Sequence, residues 1–423
     1  MVVVGDSSGP GEDPRGRAES RMQSRVLCAL RDHGPQSRPE LGAQMGVSRT
    51  TVGVEVGRLV TLGLVREQAI GGGPPGAGRR STVVDLSPDI RFVGVAVGVT
   101  EMAVAVTDGH LAVLEEWHGP CELAQGPDVV LAEVVTRARA LLAASGAEVP
   151  WGLGIGLPGP IDFAAGAPVA PPLMPGWDGH PVREQLARAL GCPVVLDNDV
   201  NLMAVGELHA CSGAGGDLLF VKMGSGIGCG VVVAGRLHRG SNGCAGDIGH
   251  VEVVAGDGRR CACGSTDCLE AHAGGAALLR EATAAAERGD SAWLAQRLAT
   301  RREAGAEDLE LGDLGEALAA GDRVTATLLR EGGRRVGHVL AGLVSFLNPA
   351  VIVVGGRVSG LGHVLLAEIR SATYRRSLPQ ATRDLRIVLS ELPEQGGVVG
   401  AAHLVSDVVL APATGVGDTP PHL

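Results

Sequence analysis

The sequence predicts a small, mainly helical N-terminal domain followed by a larger α/β domain with two lobes. Two observations predict this fold class. Residues 20–90 contain three short amphipathic helix patterns and then a pair of strand patterns. Further along, a series consisting of a strand hairpin, helices and a strand that ends in glycine occurs twice. With roughly 100–200 residues per domain, a chain of 423 residues allows two to four domains.

The composition excludes two broad classes of protein. Hydrophobic residues make up 45% of the chain and charged residues 20%, which excludes a largely disordered protein. The most apolar run, residues 340–356, contains Ser345, Asn348 and Pro349, so it lacks the ~20 uninterrupted apolar residues of a membrane-spanning helix. Residues 1–20 contain no apolar segment typical of a secretory signal. We therefore expect a cytoplasmic protein with no membrane partner.

The net charge of −11 is distributed unevenly along the chain. Residues 1–90 carry 11 arginines against 10 acidic side chains, so the remaining residues hold a net charge of −12. Because phosphate binding needs clustered cations, only the near-neutral first part is a candidate for binding nucleic acid. Lys222 is the only lysine among the 36 basic residues, and we interpret the arginine excess as an effect of genome base composition.

Two helices with clear ends are predicted first. One spans residues 22–30, where apolar side chains recur on one face, and ends at His33-Gly34-Pro35. The next begins at Ser37, whose side chain can cap the amide of Glu40 while Glu40 reaches back to the Ser37 amide. This second helix ends at Gly46.

A third helix begins at Ser48, keeps its apolar side chains on one face and ends at Gly63. A short helix, a tight turn at residues 46–48 and a longer helix constitute a helix-turn-helix motif, whose second helix can enter the major groove of DNA. The residues of this helix that we expect to contact DNA are Ser48, Arg49, Thr50, Thr51 and Arg58.

Two strands, at residues 64–68 and 81–86, follow this helix and enclose a glycine-rich loop at residues 71–78. This arrangement is typical of a β-wing, and we expect Arg79 and Arg80 beside its tip to enter a minor groove. The predicted partner is therefore double-stranded operator DNA, and the protein would associate with the nucleoid. The alternative is a three-helix protein-interaction domain in which both arginines lie on a solvent-exposed loop.

The larger domain contains two series of elements that match each other in order. The first has strands at residues 93–100, 102–107 and 111–117, a helix at 128–144 and a strand at 152–157. The second has a strand at 218–223, a glycine turn at 224–228, a strand at 229–233, long helices and a strand at 351–354. Such a duplication predicts two α/β lobes that face a cleft, and clefts between lobes are favoured ligand sites.

Four segments of the larger domain resemble, in the same order, motifs of the ROK family of sugar kinases and sugar-responsive repressors. They are residues 154–160 (GIGLPGP), 197–201 (DNDVN), 246–250 (GDIGH) and 261–270 (CACGSTDCLE). With its helix-turn-helix motif, the chain is similar to the family's transcriptional regulators, which carry an N-terminal winged helix. The resemblance covers nearly all of residues 20–405 and implies an actin-like fold of two lobes, related to sugar kinases and RNase H, in a homodimer or homotetramer.

The resemblance and the composition together predict five segments. They are a disordered tail (1–19), a winged helix-turn-helix DNA-binding domain (20–90), a small α/β lobe (91–200 with 396–411), a large lobe that contains the cysteine motif (201–395) and a second disordered tail (412–423).

Three cysteines and one histidine have the spacing of a metal site. Cys261, Cys263 and Cys268 follow the pattern C-x-C-x4-C, and ten residues separate His250 from the first of them. These four ligands suit a tetrahedral Zn²⁺ ion in a structural site. Zinc would order the adjoining loops and so couple metal content to sugar binding. The alternative is three buried free cysteines.

Sugar recognition needs fixed donors and acceptors, because hydroxyls are distinguished by paired hydrogen bonds. The matching segments provide such a set in Asn198, Asp199, Asp247, His250 and Glu270. By resemblance Asp199 corresponds to the catalytic base of the kinases, which takes a proton from the attacked sugar hydroxyl. Asp247 replaces the family's usual Glu and is one methylene shorter. The alternative for Asp197 and Asp199 is a pair of helix N-terminal carboxylates stabilised by the helix dipole.

The first hairpin differs from the phosphate-binding pattern of the kinases. Their Asp-x-Gly-Gly-Thr pattern corresponds to residues 96–100, where Ala96 replaces the carboxylate and Val99 replaces a glycine. Loss of a metal partner and crowding of the turn both oppose phosphoryl transfer, so we expect no ATP or Mg²⁺ cofactor. The glycines that remain as a weak nucleotide signal are Gly224, Gly226, Gly228, Gly355 and Gly356.

The sequence therefore predicts a transcriptional regulator that senses a sugar or sugar phosphate in a degenerate kinase cleft. We interpret it as a repressor, with activation by the ligand as the alternative, because the sequence does not specify the sign of regulation. Closure of the lobes would change the spacing of paired DNA-binding domains, which must present their reading helices about 34 Å apart. The alternative is an active ATP-dependent, glucokinase-like sugar kinase that also binds DNA, supported by Asp199 and opposed by Ala96. A scaffold without a ligand is a third hypothesis.

Overall fold

The computed structural model describes residues 18–70, 81–171, 174–210, 216–254, 256–392 and 395–411. Arg79, Arg80, the predicted loop at 71–78 and the tail at 412–423 lie outside the described residues. The predicted N-terminal tail also lies outside them, except for its last two residues. Ala18 is buried, and the Glu19 amide donates a hydrogen bond to the Gln23 side chain (2.7 Å), so these two residues are packed on the N-terminal domain.

The N-terminal domain combines a helix-turn-helix with a three-stranded sheet. Its elements are α1 (Arg21–His33), β1 (Gln36–Ser37), α2 (Arg38–Met45), α3 (Arg49–Thr61), β2 (Val65–Ile70) and β3 (Ser81–Leu86). The sheet order is β1-β3-β2, and both strand pairs are antiparallel. Strand β1 was not predicted, because two residues are too short to give a periodic pattern.

Serine caps fix the starts of the three helices. Ser20, Ser37 and Ser48 each accept a hydrogen bond from the backbone amide three residues later. Ser37 and Glu40 form the reciprocal capping box that the sequence predicts. Gly46 ends α2 with φ +67°, a conformation that favours glycine, and so allows the tight turn into α3. The predicted winged helix-turn-helix is confirmed for the described residues.

The first lobe of the larger domain is built on a five-stranded sheet. Its elements are β4 (Phe92–Val97), β5 (Glu101–Thr107), β6 (Val113–Pro120), α4 (Pro127–Ala144), β7 (Gly152–Leu157), β8 (Ile161–Asp162), β9 (Ala167–Pro168), α5 (Val182–Leu190), β10 (Val194–Asn198) and α6 (Asp199–Ala210). The strand predicted at 111–117 begins only at Val113, because Leu111 lies in a turn with φ +64°.

The second lobe has its own five-stranded sheet and most of the helices. Its elements are β11 (Leu218–Met223), β12 (Ile227–Val233), β13 (Arg236–Leu237), α7 (Leu269–Ala273), α8 (Gly275–Arg288), α9 (Ala292–Glu303), α10 (Leu311–Ala319), α11 (Arg323–Leu347), β14 (Val351–Gly355), α12 (His363–Arg376), α13 (Pro379–Thr382) and β15 (Arg386–Leu389), and the chain returns through α14 (Gly396–Leu410). None of the helices in the described part of the chain is long and apolar enough to span a membrane.

The two large sheets share one topology, as the duplicated sequence pattern predicts. The strand orders are β10-β7-β4-β5-β6 and β15-β14-β11-β12-β13. In each sheet the first three strands of the lobe form an antiparallel meander, and two later strands add in parallel beside the first one. The carboxyl ends of parallel strands meet at one edge of their sheet, which is where α/β proteins place ligands.

Helices α6 and α14 connect the two lobes. Helix α6 packs on β11 and β12 of the second sheet, α14 packs on β4 and β7 of the first, and the two helices pack on each other. Their contact is unusually close: Gly206 lies against Gly396, and Gly400 lies against Leu202, so a Cβ atom at these glycines would overlap backbone atoms. A movement of α6 is therefore passed directly to α14.

Helix α14 also contacts the N-terminal domain. Arg31 of α1 is buried, donates a hydrogen bond to Ser406 Oγ (2.6 Å) and pairs with the Asp407 carboxylate (2.5 Å), both on α14. Nearby, buried His403 of α14 stacks on His209 of α6 with ring centroids 3.5 Å apart. Burial lowers the pKa of His403 well below its usual value, so its ring is neutral at pH 7.

A second polar contact joins the domains on the side of the wing. His110, in the turn between β5 and β6, contacts the Leu30 carbonyl of α1 (3.1 Å) and the Asp85 carboxylate of β3 (2.8 Å). Asp85 is buried and also pairs with Arg66 of β2. The N-terminal domain is therefore held to the larger domain at two points, one on α1 and one on β3.

Replacing Gly400 by alanine is expected to destabilise the protein. A Cβ atom there would overlap the Leu202 carbonyl, and neither helix can move without disturbing a sheet. We expect the free energy of unfolding, measured in urea, to fall by about 1–3 kcal/mol, as in other overpacked cores. Gly342→Ala in α11 is the matched control, because nothing lies within 4 Å of its added Cβ, and it should raise stability by up to about 1 kcal/mol. Equal stabilities of the two variants would contradict this packing.

Candidate ligand-binding cleft and metal centre

Residues 197–201 join the end of β10 to the start of α6 at the edge of the first sheet. The buried carboxylate of Asp197 pairs with Arg239 (2.7 Å), which reaches over from the second lobe. Asn198 Nδ2 donates a hydrogen bond to the Gly159 carbonyl (2.9 Å), which belongs to the first of the four family-like segments. Asp197 thus forms a buried ion pair with Arg239. Asn198 joins the segment at residues 197–201 to the segment at residues 154–160.

Asp199 is the first residue of α6 and is only 4% exposed. One of its carboxylate oxygens accepts a hydrogen bond from the Val200 amide (2.8 Å), as expected at a helix N-terminus. The other oxygen accepts a hydrogen bond from the ammonium group of Lys222 on β11. Asp199 therefore serves as a helix N-terminal carboxylate and also as one partner in an ion pair with the second sheet.

Lys222 is a site residue that the sequence reasoning did not identify. Its role depends on how the second sheet packs against α6, which no local pattern reveals. Two signals could have found it: Lys222 is the only lysine in the chain, and only Met223 separates it from the glycine turn at residues 224–228. Arg239 was missed for the same reason, since it is 42 positions from Asp197 in the sequence.

Glu270 approaches the same turn from the other side. Its Oε2 atom accepts a hydrogen bond from the Ile227 amide (2.9 Å), at the start of β12. A Cβ atom on Gly226 would overlap the Glu270 carboxylate, so glycine at this position leaves room for Glu270. The need to accommodate Glu270 therefore explains the glycine at position 226 without a nucleotide. Gly226 is a correspondingly weak indication of a phosphate site.

Asp247 and His250 lie beside one another on the segment that precedes the cysteine loop. The His250 Nε2 atom is 3.8 Å from an Asp247 carboxylate oxygen, and the Asp247 side chain is exposed. The opposite ring nitrogen, Nδ1, is 3.5 Å from the Cys261 sulfur. The two nitrogens of His250 thus face two different environments, so one ring can contact a metal and a sugar at once.

The cysteine loop brings four potential metal ligands together. The ligand atoms of His250, Cys261, Cys263 and Cys268 all lie within 4.8 Å of one another. The Cys263 and Cys268 sulfurs are 3.8 Å apart, and Cys261 is 3.5 Å from the histidine nitrogen. Tetrahedral Zn²⁺ with Zn–S bonds of about 2.3 Å and a Zn–N bond of about 2.0 Å requires separations of ~3.8 and ~3.5 Å. The donor set therefore fits a tetrahedral metal ion.

The thiols of the loop differ in their acidity. A hydrogen bond from the Ser265 amide lowers the pKa of Cys263 to about 7, whereas burial raises the pKa of Cys268 to about 12. Burial also raises the pKa of Cys261. Since the thiolate is the metal-binding form, Cys263 is the ligand best prepared to start metal binding.

The cysteine loop is connected along the chain to two of the predicted sugar-binding residues, His250 and Glu270. Cys268 occupies the N-cap position of α7, and Glu270 lies in the first turn of that helix. The Leu269 amide donates a hydrogen bond to the Val251 carbonyl (2.8 Å), directly after His250. The Asp267 carboxylate closes the loop by accepting from the amides of residues 258 and 259. An ion bound by the four ligands would therefore hold the backbone on both sides of His250 and Glu270.

The first hairpin turn lies near the glycine turns of the second lobe, through the approach of Glu101 to Arg357. Ala96 packs on Gly397 at the start of α14. In the second lobe, Gly356 has φ +84° and lies against the backbone of Met223, beside the glycine turn at 224–228. Arg357 and Glu101 approach to 3.9 Å, and Glu101 directly follows the first hairpin turn. No carboxylate occupies position 96, and Val99 is partly exposed at the tip of its turn.

The predicted DNA-contacting residues of α3 are all exposed, four of them at the start of the helix and Arg58 in its last turn. Arg49 and Thr50 are exposed in its first turn. Ser48 and Thr51 are also exposed, but their side chains contact each other (2.9 Å) because Ser48 caps the helix. Arg58 pairs with Glu55 on the same helix (3.0 Å). Arg49 is thus the residue of this set that is best placed to contact a base or phosphate.

Models of two protein families match the chain. The ROK family model matches residues 92–408, and the MarR family model matches residues 20–73. The first range contains both five-stranded sheets and the cleft, and the second contains the helix-turn-helix and strand β2.

Relatives fall into two groups by the length of chain that they cover. A protein described as a putative xylose repressor, from Caldicellulosiruptor sp. (strain Rt8B.4), is 27% identical over 92% of this chain and 96% of its own length. A glucokinase from Thermotoga maritima is 29% identical over 76% of this chain and 98% of its own length. The repressor-type relative therefore matches the N-terminal domain as well as the lobes.

Solved structures divide in the same way. A ROK family transcriptional regulator, described as a homologue of the E. coli MLC protein, aligns with a TM-score of 0.76 at 23% identity and covers 92% of this chain and 96% of its own. A ROK family glucokinase from Streptomyces griseus, in complex with glucose and AMPPNP, aligns with a TM-score of 0.64 at 30% identity and covers 74% of this chain and 98% of its own. The matched family model, the shared fold and these relatives establish that the chain belongs to the ROK family.

Proposed function

We propose that this protein is a sugar-responsive, DNA-binding transcriptional regulator, a repressor, whose cleft senses a sugar without phosphorylating it. One observation carries the proposal: the helix-turn-helix domain packs on α14, which packs on α6, and α6 begins at Asp199 in the cleft. A ligand site and a DNA-reading helix are thus connected through two closely packed helices. Such a protein would act in the cytoplasm, on the nucleoid.

The phosphate side of the cleft supports a sensor over a kinase. Phosphoryl transfer needs a metal ion held beside the transferred phosphate, and Ala96 offers no carboxylate for it. Val99 brings a β-branched side chain to the turn that would have to approach the phosphates. Relatives described as xylose repressors match over 92% of this chain, whereas the glucokinases match only its ROK part. We therefore propose that neither ATP nor Mg²⁺ is a cofactor.

The sugar site that we propose contains Asn198, Asp199, Asp247, His250 and Glu270. Their carboxylates, amide and ring nitrogen can pair with hydroxyl groups that both donate and accept. Asp199 corresponds to the kinase base, but here it would act as a hydrogen-bond acceptor. The ligand class is a sugar or sugar phosphate.

Zinc is the metal that we propose for the cysteine loop. Three thiolates and one imidazole form a closed tetrahedral set, as in structural zinc sites. The 3.8 Å and 3.5 Å separations of the ligand atoms support this assignment. Zinc would supply structural order: it would hold His250 through Nδ1 and leave Nε2 toward Asp247 and the sugar.

The DNA surface that we propose combines the start of α3 with the wing. Ser48, Arg49, Thr50, Thr51 and Arg58 would contact the major groove, and Arg79 and Arg80 would contact a minor groove. The operator would be a duplex with two half-sites, since we also propose a homodimer or homotetramer. Large apolar side chains at the ends of α11 and α12 support assembly: Phe346 is 85% exposed and Leu378 is 72% exposed.

Signal transfer would use the contacts at the two ends of α14. A sugar that binds Asp199 pulls on the first turn of α6, and the glycine contacts pass the displacement to α14. Arg31 would then pass it to α1 through Ser406 and Asp407. Because Arg31 is buried, a small shift of α14 would either break these bonds or leave them intact, and the response would have two states.

An active sugar kinase that also binds DNA is the second candidate function. It is favoured by Asp199 and by the glucokinases among the relatives. A coupled assay of ATP consumption with hexoses and pentoses distinguishes the two functions, because turnover that Asp199→Asn abolishes belongs to a kinase.

Loss of the Arg49 side chain is expected to weaken operator binding. Arg49→Ala removes one contact to a base or phosphate, so affinity for a duplex selected by the full-length protein should fall about 10- to 100-fold in fluorescence anisotropy. The control Arg288→Ala removes an exposed arginine of α8 that pairs with Asp290. Unchanged affinity of the Arg49 variant would show that α3 does not read DNA.

Purified protein is expected to contain about one zinc ion per chain by inductively coupled plasma mass spectrometry. Cys263→Ser should lose the metal and lower the melting temperature, because the loop before Glu270 then lacks its cross-link. Cys244→Ser is the matched control, since Cys244 is exposed and outside the cluster. Metal-free wild-type protein that folds normally would refute the zinc assignment.

Arg31→Met is expected to uncouple sugar binding from DNA binding. Allosteric coupling commonly changes affinity about 5- to 150-fold, and we expect the sugar-induced change in operator affinity to fall below about twofold in this variant. Sugar affinity itself should stay unchanged, because Arg31 lies outside the cleft. Arg139→Met, which removes a bond to the Ala189 carbonyl within the first lobe, should keep the full response. A full response in the Arg31 variant would exclude this route.

A further inference from the structure

Lys222 is in an unusual position for the single lysine of an arginine-rich chain. It is one of 36 basic residues, and the other 35 are arginines. It lies next to last in β11, with only Met223 between it and the glycine turn, and its ammonium group reaches the Asp199 carboxylate at the start of α6. The Lys222 side chain is 23% exposed and that of Asp199 is 5% exposed. The ion pair is therefore largely shielded from solvent, with the lysine as its more exposed partner.

The space around this side chain suits an ammonium group. A Cβ atom on Gly224 would lie 3.3 Å from Lys222 Cε, so the stem passes closely over the turn. An ammonium group is compact and has three N–H donors, whereas a guanidinium group is a wide planar fork. Asp199 is the one acceptor that the structure records for it within the described residues. Two N–H donors thus remain for a ligand beside a buried carboxylate.

A sugar hydroxyl matches this pair of charges. A hydroxyl group has one donor and two acceptor lone pairs, so it can donate to Asp199 and accept from Lys222 at the same time. Hydrogen bonds to charged groups are roughly twice as strong as neutral ones. In a kinase, the same hydroxyl would attack phosphorus with a lone pair while its proton moves to the carboxylate. An ammonium group that occupies a lone pair makes that oxygen a poorer nucleophile.

We propose that Lys222 is a sugar-binding residue, and that its ammonium group and the Asp199 carboxylate together hold one hydroxyl of the effector. The pair has two consequences: it selects ligands that present a hydroxyl at that position, and it keeps this hydroxyl from reacting. The inference rests on the proposed function, since it assumes that the cleft binds a sugar. The competing interpretation is that Lys222 only neutralises a buried carboxylate.

The single lysine allows a direct chemical test on the unmodified full-length protein. An amine-reactive ester can label only Lys222 and the chain's N-terminal amine, and mass spectrometry of peptides separates the two. With D-xylose and D-glucose as probes, at least one should slow labelling of Lys222 about fivefold or more and leave labelling of the N-terminal amine unchanged. Asp199→Asn should speed labelling of Lys222, because the ion pair is lost.

Calorimetric titration of the same sugars measures the contribution of Lys222 to binding. Lys222→Met keeps the length of the stem but cannot donate, and we expect it to weaken binding about 10- to 100-fold. Lys222→Gln, which keeps a neutral N–H donor, should fall between the wild type and the methionine variant. The double variant, which combines Lys222→Met with Asp199→Asn, should show little further loss of affinity. Its dissociation constant should be within twofold of that of the weaker-binding single variant, since both side chains hold the same hydroxyl.

The outcomes separate this inference from the function on which it rests. If the wild type binds a sugar, but Lys222→Met binds it within twofold of wild type and labelling is unprotected, Lys222 is only a structural counter-ion and the inference is overturned while the sugar sensor stands. If neither sugar binds or protects the wild type, the inference is overturned together with the assignment of unphosphorylated xylose or glucose as the effector. Because the protection experiment uses the wild-type chain, an unfolded variant does not remove the test.

Discussion

The close contact between α6 and α14 is the constraint on which the rest of the structure depends. Glycines at Gly206, Gly396 and Gly400 let the two backbones meet without intervening side chains. One helix belongs to the core of the second sheet and the other to that of the first, so the lobes share this contact as their joint. Asp199 lies at the free end of α6 and Arg31 binds near the end of α14, which places the cleft and the DNA-binding domain at opposite ends of one rigid unit.

The second lobe organises the cleft by a different means. Its strands and glycine turn position Lys222 and Ile227, which contact Asp199 and Glu270 respectively. The cysteine loop then fixes the backbone before Glu270, and His250 faces the loop with one nitrogen and Asp247 with the other. A metal ion in this loop would add cross-links to the loop's own hydrogen bonds, in the manner of structural zinc sites. The positions of the predicted sugar-binding residues thus depend on contacts from both lobes, as expected for a ligand site that responds to closure of the lobes.

Much of this arrangement could be predicted from local sequence. Ser37, Glu40 and Gly46 specify a capping box and a left-handed turn, and the structure contains both. The duplicated strand pattern predicted the two matching sheets, and the cysteine spacing predicted four ligand atoms in one place. Lys222, Arg239 and the contacts of Arg31 could not be predicted, because they join residues 23, 42 and 375 positions apart through tertiary packing. Gly226 shows how a local pattern can have a tertiary cause, because this glycine of the weak nucleotide signal also makes room for Glu270.

The central claim is that one sugar-binding event in the cleft changes the affinity of the N-terminal domain for DNA. The most direct measurement is the affinity of the full-length protein for its selected operator duplex across a panel of sugars and sugar phosphates, at fixed salt concentration. The account predicts that at least one member changes operator affinity about 5- to 150-fold, with no consumption of ATP when the nucleotide is added. Operator affinity that stays the same with every sugar, together with sugar-dependent ATP turnover, would contradict it.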